Sequence, residues 1–245
     1  MSIEKIHLGE HIQQSYDREL ESVRSRVLSM GGLVERQVTD ALTALKENNS
    51  ELAEYVIRTD HRVNAQEVGI DEDCTYILAR RQPTARDLRM VMAIIKTIAD
   101  LERIGDESEK IASAALYIST NASSGLRPLI QEIDEMGMQV LEILRESLDA
   151  FVRNSSDDAV NTAVKDEEVD RRYVNLVSEI TNCIKNTPEE IEALHSLMWV
   201  AKALERIGDH AKNICEYVIY LVKGKDVRHI SIDELEQELG TEDRS

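Results

Sequence analysis

LERIGD stands at residues 101–106 and again at residues 204–209. Working outward, the duplication is much longer than six residues. The hexapeptides are 103 positions apart, Pro83 and Pro188 are 105 apart, and Asp60 with Val63 matches Asp166 with Val169 at 106. Small insertions between helices account for the drift. Breaks near Asn48-Asn49-Ser50, Gln82-Pro83, Asn121 to Pro128, Ser155-Ser156 and Thr187-Pro188 cut the chain into six long segments. Within them apolar residues recur at intervals of three and four, as in Leu20, Val23, Val27, Met30, Val34, Val38, Ala41 and Leu45, or Leu129, Ile133, Met136, Val140, Ile143, Leu148 and Phe151. Each segment therefore reads as a helix with one face to bury. Thr187-Pro188-Glu189-Glu190 reads as an N-cap, and Thr84 to Asp87 as a capping box, so Pro83 and Pro188 are expected to open helices. The expected fold is all-α: two tandem antiparallel three-helix bundles with six long helices, over residues 1–122 and 123–224, followed by a tail over 225–245.

Composition agrees with this class. Aromatics make up 4% of the chain, with one Phe and one Trp, so the core must be aliphatic. The 47 acidic against 29 basic residues give a net charge of −18, which repels phosphate backbones and anionic lipid and argues against nucleic acid as a partner. Cys74, Cys183 and Cys215 are odd in number, well separated and form no CxxC pair, which fits a reducing cytoplasm without disulfides or a cysteine zinc site. No signal-peptide core and no run of ~20 apolar residues is present, so a membrane is expected to be reached only through partners.

On a helix the hexapeptide places Glu102 and Asp106 one turn apart, close to the line of Ile95 and Glu109 and beside the apolar arc of Ile94, Ile98, Leu101 and Gly105. The second copy gives Glu205 and Asp209 the same phase beside Leu204 and Gly208. A mid-helix glycine costs ~1 kcal/mol relative to alanine, so its repetition predicts a close approach by another helix or a ligand. Two carboxylates one turn apart repel. Arg103 and Arg206 point about 100° away from the neighbouring glutamates, and a divalent or trivalent cation is better placed to offset the charge. The second helix of each unit adds Asp60, Asn64, Glu67 and Asp71, or Asp166 and Asp170. The copies then diverge, since Glu67, Asp71 and Glu109 correspond to Tyr173, Val177 and Lys212. The two sites should differ in charge and metal content. Against metal stands a plain ion-pair network, in which Arg103, Arg206, Lys96 or Lys202 neutralises the acids; in so acidic a chain some of this spacing arises by chance.

Other motifs carry less. Glu4-xx-His7 and Glu192-xx-His195 match the ExxH of di-iron bundles but lack the further converging glutamates. His210 follows the second motif and reads as a surface residue. No phosphate loop, nucleophile elbow or Ser/His/Asp arrangement stands out.

With LERIGD twice, the paired acid motifs on the second helices and KGKDVRH at 223–229, the chain resembles the PhoU family over essentially its whole length. RQPTARDLRMVMAIIKTIADLERIGD at 81–106 and NICEYVIYLVKGKDVRH at 213–229 are similar to proteobacterial members. The resemblance implies a cytoplasmic negative regulator of the phosphate-starvation response that is not an enzyme. It further implies an adaptor, often a homodimer, between the ATPase of the phosphate ABC transporter and the membrane sensor histidine kinase. It also implies a multinuclear metal cluster, of iron or of zinc, nickel, manganese or magnesium. The matching metal positions are Asp60, Asn64, Glu102, Asp106, Asp166, Asp170, Glu205 and Asp209, with Asn64 departing from the acidic pattern. Two other functions remain in view: a metal-dependent hydrolase or oxidase using the carboxylates, and a metal-free helical scaffold.

Overall fold

The computed structural model describes residues 3–121 and 124–227, with side chains from residue 16 onward and that of Ser124 excepted. Eight α-helices and two short 3-10 turns make up these residues, with no strand among them. The first unit comprises α1 (Ile3–Glu47), α2 (Ser50–Thr59), α3 (His61–Arg81) and α4 (Ala85–Asn121). The second comprises α5 (Arg127–Arg153), α6 (Ser156–Val164), α7 (Asp166–Asn186) and α8 (Ile191–Lys223).

The six long helices are present, but the second segment of each unit is broken into a short and a long helix, which periodicity did not predict. The break falls at Asp60 in one unit and Lys165 in the other. Val63 N donates to Asp60 O at 2.8 Å and Glu168 N to Lys165 O at 3.1 Å, tight i→i+3 bonds that bend the chain without unwinding it. Asn49 and Ser155 cap the short helices at matching positions through Leu52 N and Asp158 N. The prolines stand just ahead of the helices instead of opening them. Pro188 begins a 3-10 turn and α8 starts at Ile191, while the Thr187 hydroxyl donates back to Cys183 O and caps nothing.

The core is continuous and aliphatic, with Phe151, Met30 and Met136 its largest members. Helices α4 and α8 run antiparallel along its centre and join the units: Arg89 reaches Leu221 O, Arg206 Nη1 lies 2.9 Å from Glu107, and Tyr117 donates to Glu192 at 2.5 Å. Between these lies Asp100, 1% exposed, which accepts from the Tyr217 hydroxyl (2.7 Å), the His210 imidazole (2.8 Å), Asn213 and Arg103. His210 is therefore not a surface residue. Its side chain is largely buried and clamps the two units together, a pairing across helices that spacing along one helix cannot reveal.

The repeated glycines mark where α3 and α7 press onto α4 and α8. A Cβ built on Gly105 would stand 3.2 Å from Asp60 Oδ1 and 3.4 Å from Val63, and one on Gly208 would stand 2.7 Å from Asp166 Oδ1 and 3.5 Å from Val169. Helix propensity alone favours alanine at both. Overpacking reverses the sign, so Gly208→Ala is expected to cost about 1–3 kcal/mol in urea denaturation, and Gly105→Ala, with slightly more room, less.

Candidate metal centre

The close approach at the glycines sets the site. Because α3 meets α4 at Gly105, the Asp60 carboxylate at the kink is driven against the helix that carries Glu102, Asp106 and Glu109. Asp60 is 6% exposed, and oxygens of Asp60, Asp106 and Glu109 all lie within 4.8 Å of one another. Burial pushes the Glu102, Glu67 and Glu109 carboxyls above the usual range, and neighbouring acids reinforce this: Asp106 and Glu67 on Glu102, Asp71 and Asp106 on Glu67, Asp60 and Asp106 on Glu109. Arg103 acts in the opposite sense on Glu102 and Glu67 but makes its contact with Asp100.

Two neutral oxygens complete this first cluster's surroundings. Gln37, on α1 and 4% exposed, donates from Nε2 to Asp60 Oδ1 at 3.2 Å. Its orientation is fixed, since a flipped amide would turn its oxygen onto the carboxylate. Gln37 Oε1 is left without a hydrogen-bond partner among the described residues and would lie 3.3 Å from a Gly105 Cβ. Asn64 Oδ1, one turn beyond Asp60, is likewise buried and unpartnered. Buried acceptors of this kind are costly unless a donor or a cation meets them. A cleft of about 600 Å³, lined by Asp106, Glu109, Lys110, Trp199 and Arg206 among others, opens the cluster to solvent between α4 and α8. The donor set is all oxygen and strongly anionic, which fits a hard cation.

The second cluster has the same frame and different chemistry. Asp166 is 1% exposed, and burial raises its carboxyl from 3.8 to about 6, with Lys212 lowering it and Asp209 and Asp170 raising it. Asp209 is raised by burial, Glu205 and Asp170, against Lys212 and Lys202. Here lysines enter: Lys212 Nζ stands 3.3 Å from Asp166 Oδ2, and Lys202 Nζ donates to both Glu205 oxygens at 2.6 Å while lying 5.2 Å from the Tyr173 ring centroid. Burial works against the charged Lys212, but Asp166, Asp209 and Glu216 outweigh it and hold its ammonium above the ordinary value.

Of the eight sequence-derived positions, Asp60, Glu102 and Asp106 thus gather in one cluster, and Asp166, Asp170, Glu205 and Asp209 in the other; Asn64 stands next to the first. Glu109 lies on the predicted acidic line yet outside that set of eight. Gln37 was missed, although a glutamine flanked by Val34, Val38 and Ala41 on an apolar stripe was a readable signal. Arg103 and Arg206 pair with Asp100 and Glu107, not with the motif glutamates. Of the ExxH pairs, Glu192 accepts from Tyr117 and His195 from Trp199. The Glu4 and His7 side chains, and Arg228 and His229 of the tail, lie outside the described residues. Cys74 and Cys215 are buried in the core, where burial pushes the Cys74 thiol up to about 12.

The family model described as the PhoU domain matches residues 27–115 and 133–218, one match in each unit. A phosphate-specific transport system accessory protein of Serratia marcescens is 45% identical over 235 residues, covering 96% of both chains. The Escherichia coli K12 protein of the same description is 42% identical over 98% of this chain and 99% of its own. A Pseudomonas aeruginosa crystal structure superposes with a TM-score of 0.83 at 45% identity, over 86% of this chain and 100% of that one. A Streptococcus pneumoniae phosphate transport system regulatory protein gives 0.80 at 33%, over 86% and 99%.

Asp166 makes the pH dependence testable. Its folded pKa of about 6 exceeds the unfolded value of 3.8, so the folded state binds the proton more tightly and this group's contribution to stability falls as pH rises through 6. Between about pH 5 and pH 7, urea denaturation should show the stability difference between Asp166→Asn and wild type moving in the variant's favour by roughly 1 kcal/mol.

Proposed function

Since the chain belongs to the PhoU domain family, we propose that it regulates phosphate transport as a cytoplasmic adaptor that catalyses no reaction itself. In this reading it contacts the ATPase subunit of a phosphate ABC transporter and a membrane sensor histidine kinase, and holds the phosphate-starvation response off when phosphate is plentiful. Full-length kinship to accessory proteins of phosphate-specific transport systems supports the setting. No helix among the described residues is long and apolar enough to cross a membrane, so contact with such machinery runs through protein surfaces.

The adaptor role rests on one observation: the two units expose similar apolar side chains at matching repeat positions. Val68 and Val174 are 56% and 64% exposed on α3 and α7, and Leu88 and Ile191 are 41% and 50% exposed near the starts of α4 and α8. A chain with two related faces can hold two partners, or a partner and a second copy of itself. Transporter conformation then changes which contacts are available, and the adaptor biases the kinase toward its phosphatase state.

The first cluster is proposed to hold a metal ion or a multinuclear cluster, of iron or another hard or borderline cation, through Asp60, Asn64, Glu102, Asp106, Glu109 and Gln37. The metal would supply the positive charge that lets these groups remain buried together. The chain's own part is to fix the oxygens: Gly105 admits the Asp60 carboxylate, and Asp60 in turn orients the Gln37 amide.

Two measurements test this. In binding assays with purified ATPase subunit and kinase cytoplasmic region, the full chain should bind both, and Val68→Asp or Val174→Asp should weaken one of them by about tenfold or more; binding to neither partner sinks the adaptor reading. After chelator treatment, Mn2+ at about 100 times its dissociation constant should raise stability by about 2.7 kcal/mol, and Glu102→Gln/Asp106→Asn should abolish the rise.

A further inference from the structure

We infer that the second unit supplies its own cation: Lys212 and Lys202 occupy the place of a metal among Asp166, Asp170, Glu205 and Asp209, so this cluster takes no divalent ion at neutral pH. The inference deepens the cation-site reading of the first unit and starts from its geometry, because the two frames superimpose residue by residue. Repeat register matches Lys212 with Glu109, Lys202 with Ala99, and Tyr173 with Glu67. The register that aligns the N-caps Asn49 and Ser155 also matches Gln37 with Ile143, which is 1% exposed. Every one of these differences moves the second cluster away from metal. Two ammonium groups are gained, two carboxylates are lost, and the fixed amide oxygen becomes a hydrocarbon.

The lysines are built into place. Lys202 is held by both oxygens of Glu205 and by the face of Tyr173, the residue that replaces a glutamate of the first unit. Lys212 is half-buried with its Nζ on Asp166, and Asp209 and Glu216 also favour its charge. An incoming divalent ion would have to displace these groups and leave them beside it, so like-charge repulsion opposes its entry. A tethered ammonium also needs no supply from solution. Asp166 Oδ1 stays unpartnered among the described residues. It lies against Gly208, where even a Cβ would come within 2.7 Å, which leaves no space for an ion on that side. The consequence is an asymmetric protein: one unit's acidic cluster depends on metal supply, and the other's is permanently satisfied.

Equilibrium dialysis of the chelator-stripped full chain against Mn2+, with bound metal counted by elemental analysis and folding checked by circular dichroism, tests this. Glu205→Gln/Asp209→Asn should bind as much Mn2+ as wild type. Lys202→Ala/Lys212→Glu, which installs the first unit's residues, should bind more, and should still bind when combined with Glu102→Gln/Asp106→Asn. Loss of Mn2+ from the Glu205→Gln/Asp209→Asn protein would overturn the inference, as would a folded lysine variant that gains none. Wild type that binds no Mn2+, beside a lysine variant that does, would remove the first-unit metal reading and leave this inference standing.

Discussion

Everything about the two clusters follows from a side chain that is missing at one position of each central helix. Where Gly105 and Gly208 leave the surface of α4 and α8 bare, the neighbouring helix comes in close enough that a carboxylate at its kink is buried against the backbone. Asp60 and Asp166 are held there, beside the Glu and Asp that the same helix turn presents one residue pair apart. Burying acids together is unfavourable, and the raised carboxyls record it. The fold creates an electrostatic debt that some cation must settle.

The two units settle it differently. In the second, ammonium groups from α8 itself lie against the acids, and a tyrosine face steadies one of them. In the first, the lysine positions hold Ala99 and Glu109, and the unpartnered oxygens of Gln37 and Asn64 face the absence of any donor among the described residues. Duplication supplied the frame, and a few substitutions within it changed what the frame can hold.

The same helices also make the protein one body. Asp100 on α4 gathers donors from α8 at the crossing, and Glu107 receives Arg206 a little further along. A buried acid with four donors is satisfied without metal, in contrast to the clusters on either side of it. Since α4 and α8 carry both the acidic motifs and the seam between units, a change at either cluster is felt directly at the joint, which suits a protein whose contacts must shift with its surroundings.

The sequence by itself determined the helices, the duplication and the phase of the acids, because these depend on spacing along a single helix: apolar residues at three and four, a glycine one position before Asp106 and Asp209, and capping residues at the breaks. Tertiary structure decided the rest. The kinks at Asp60 and Lys165 have helical backbone angles and leave no proline or glycine to announce them. Gln37, His210 and Lys212 acquire their partners across helices 23, 110 and 46 residues away. Periodicity reports which face a residue occupies; only the packing of one face on another decides whether a buried carboxylate meets an amide, an imidazole or an ammonium.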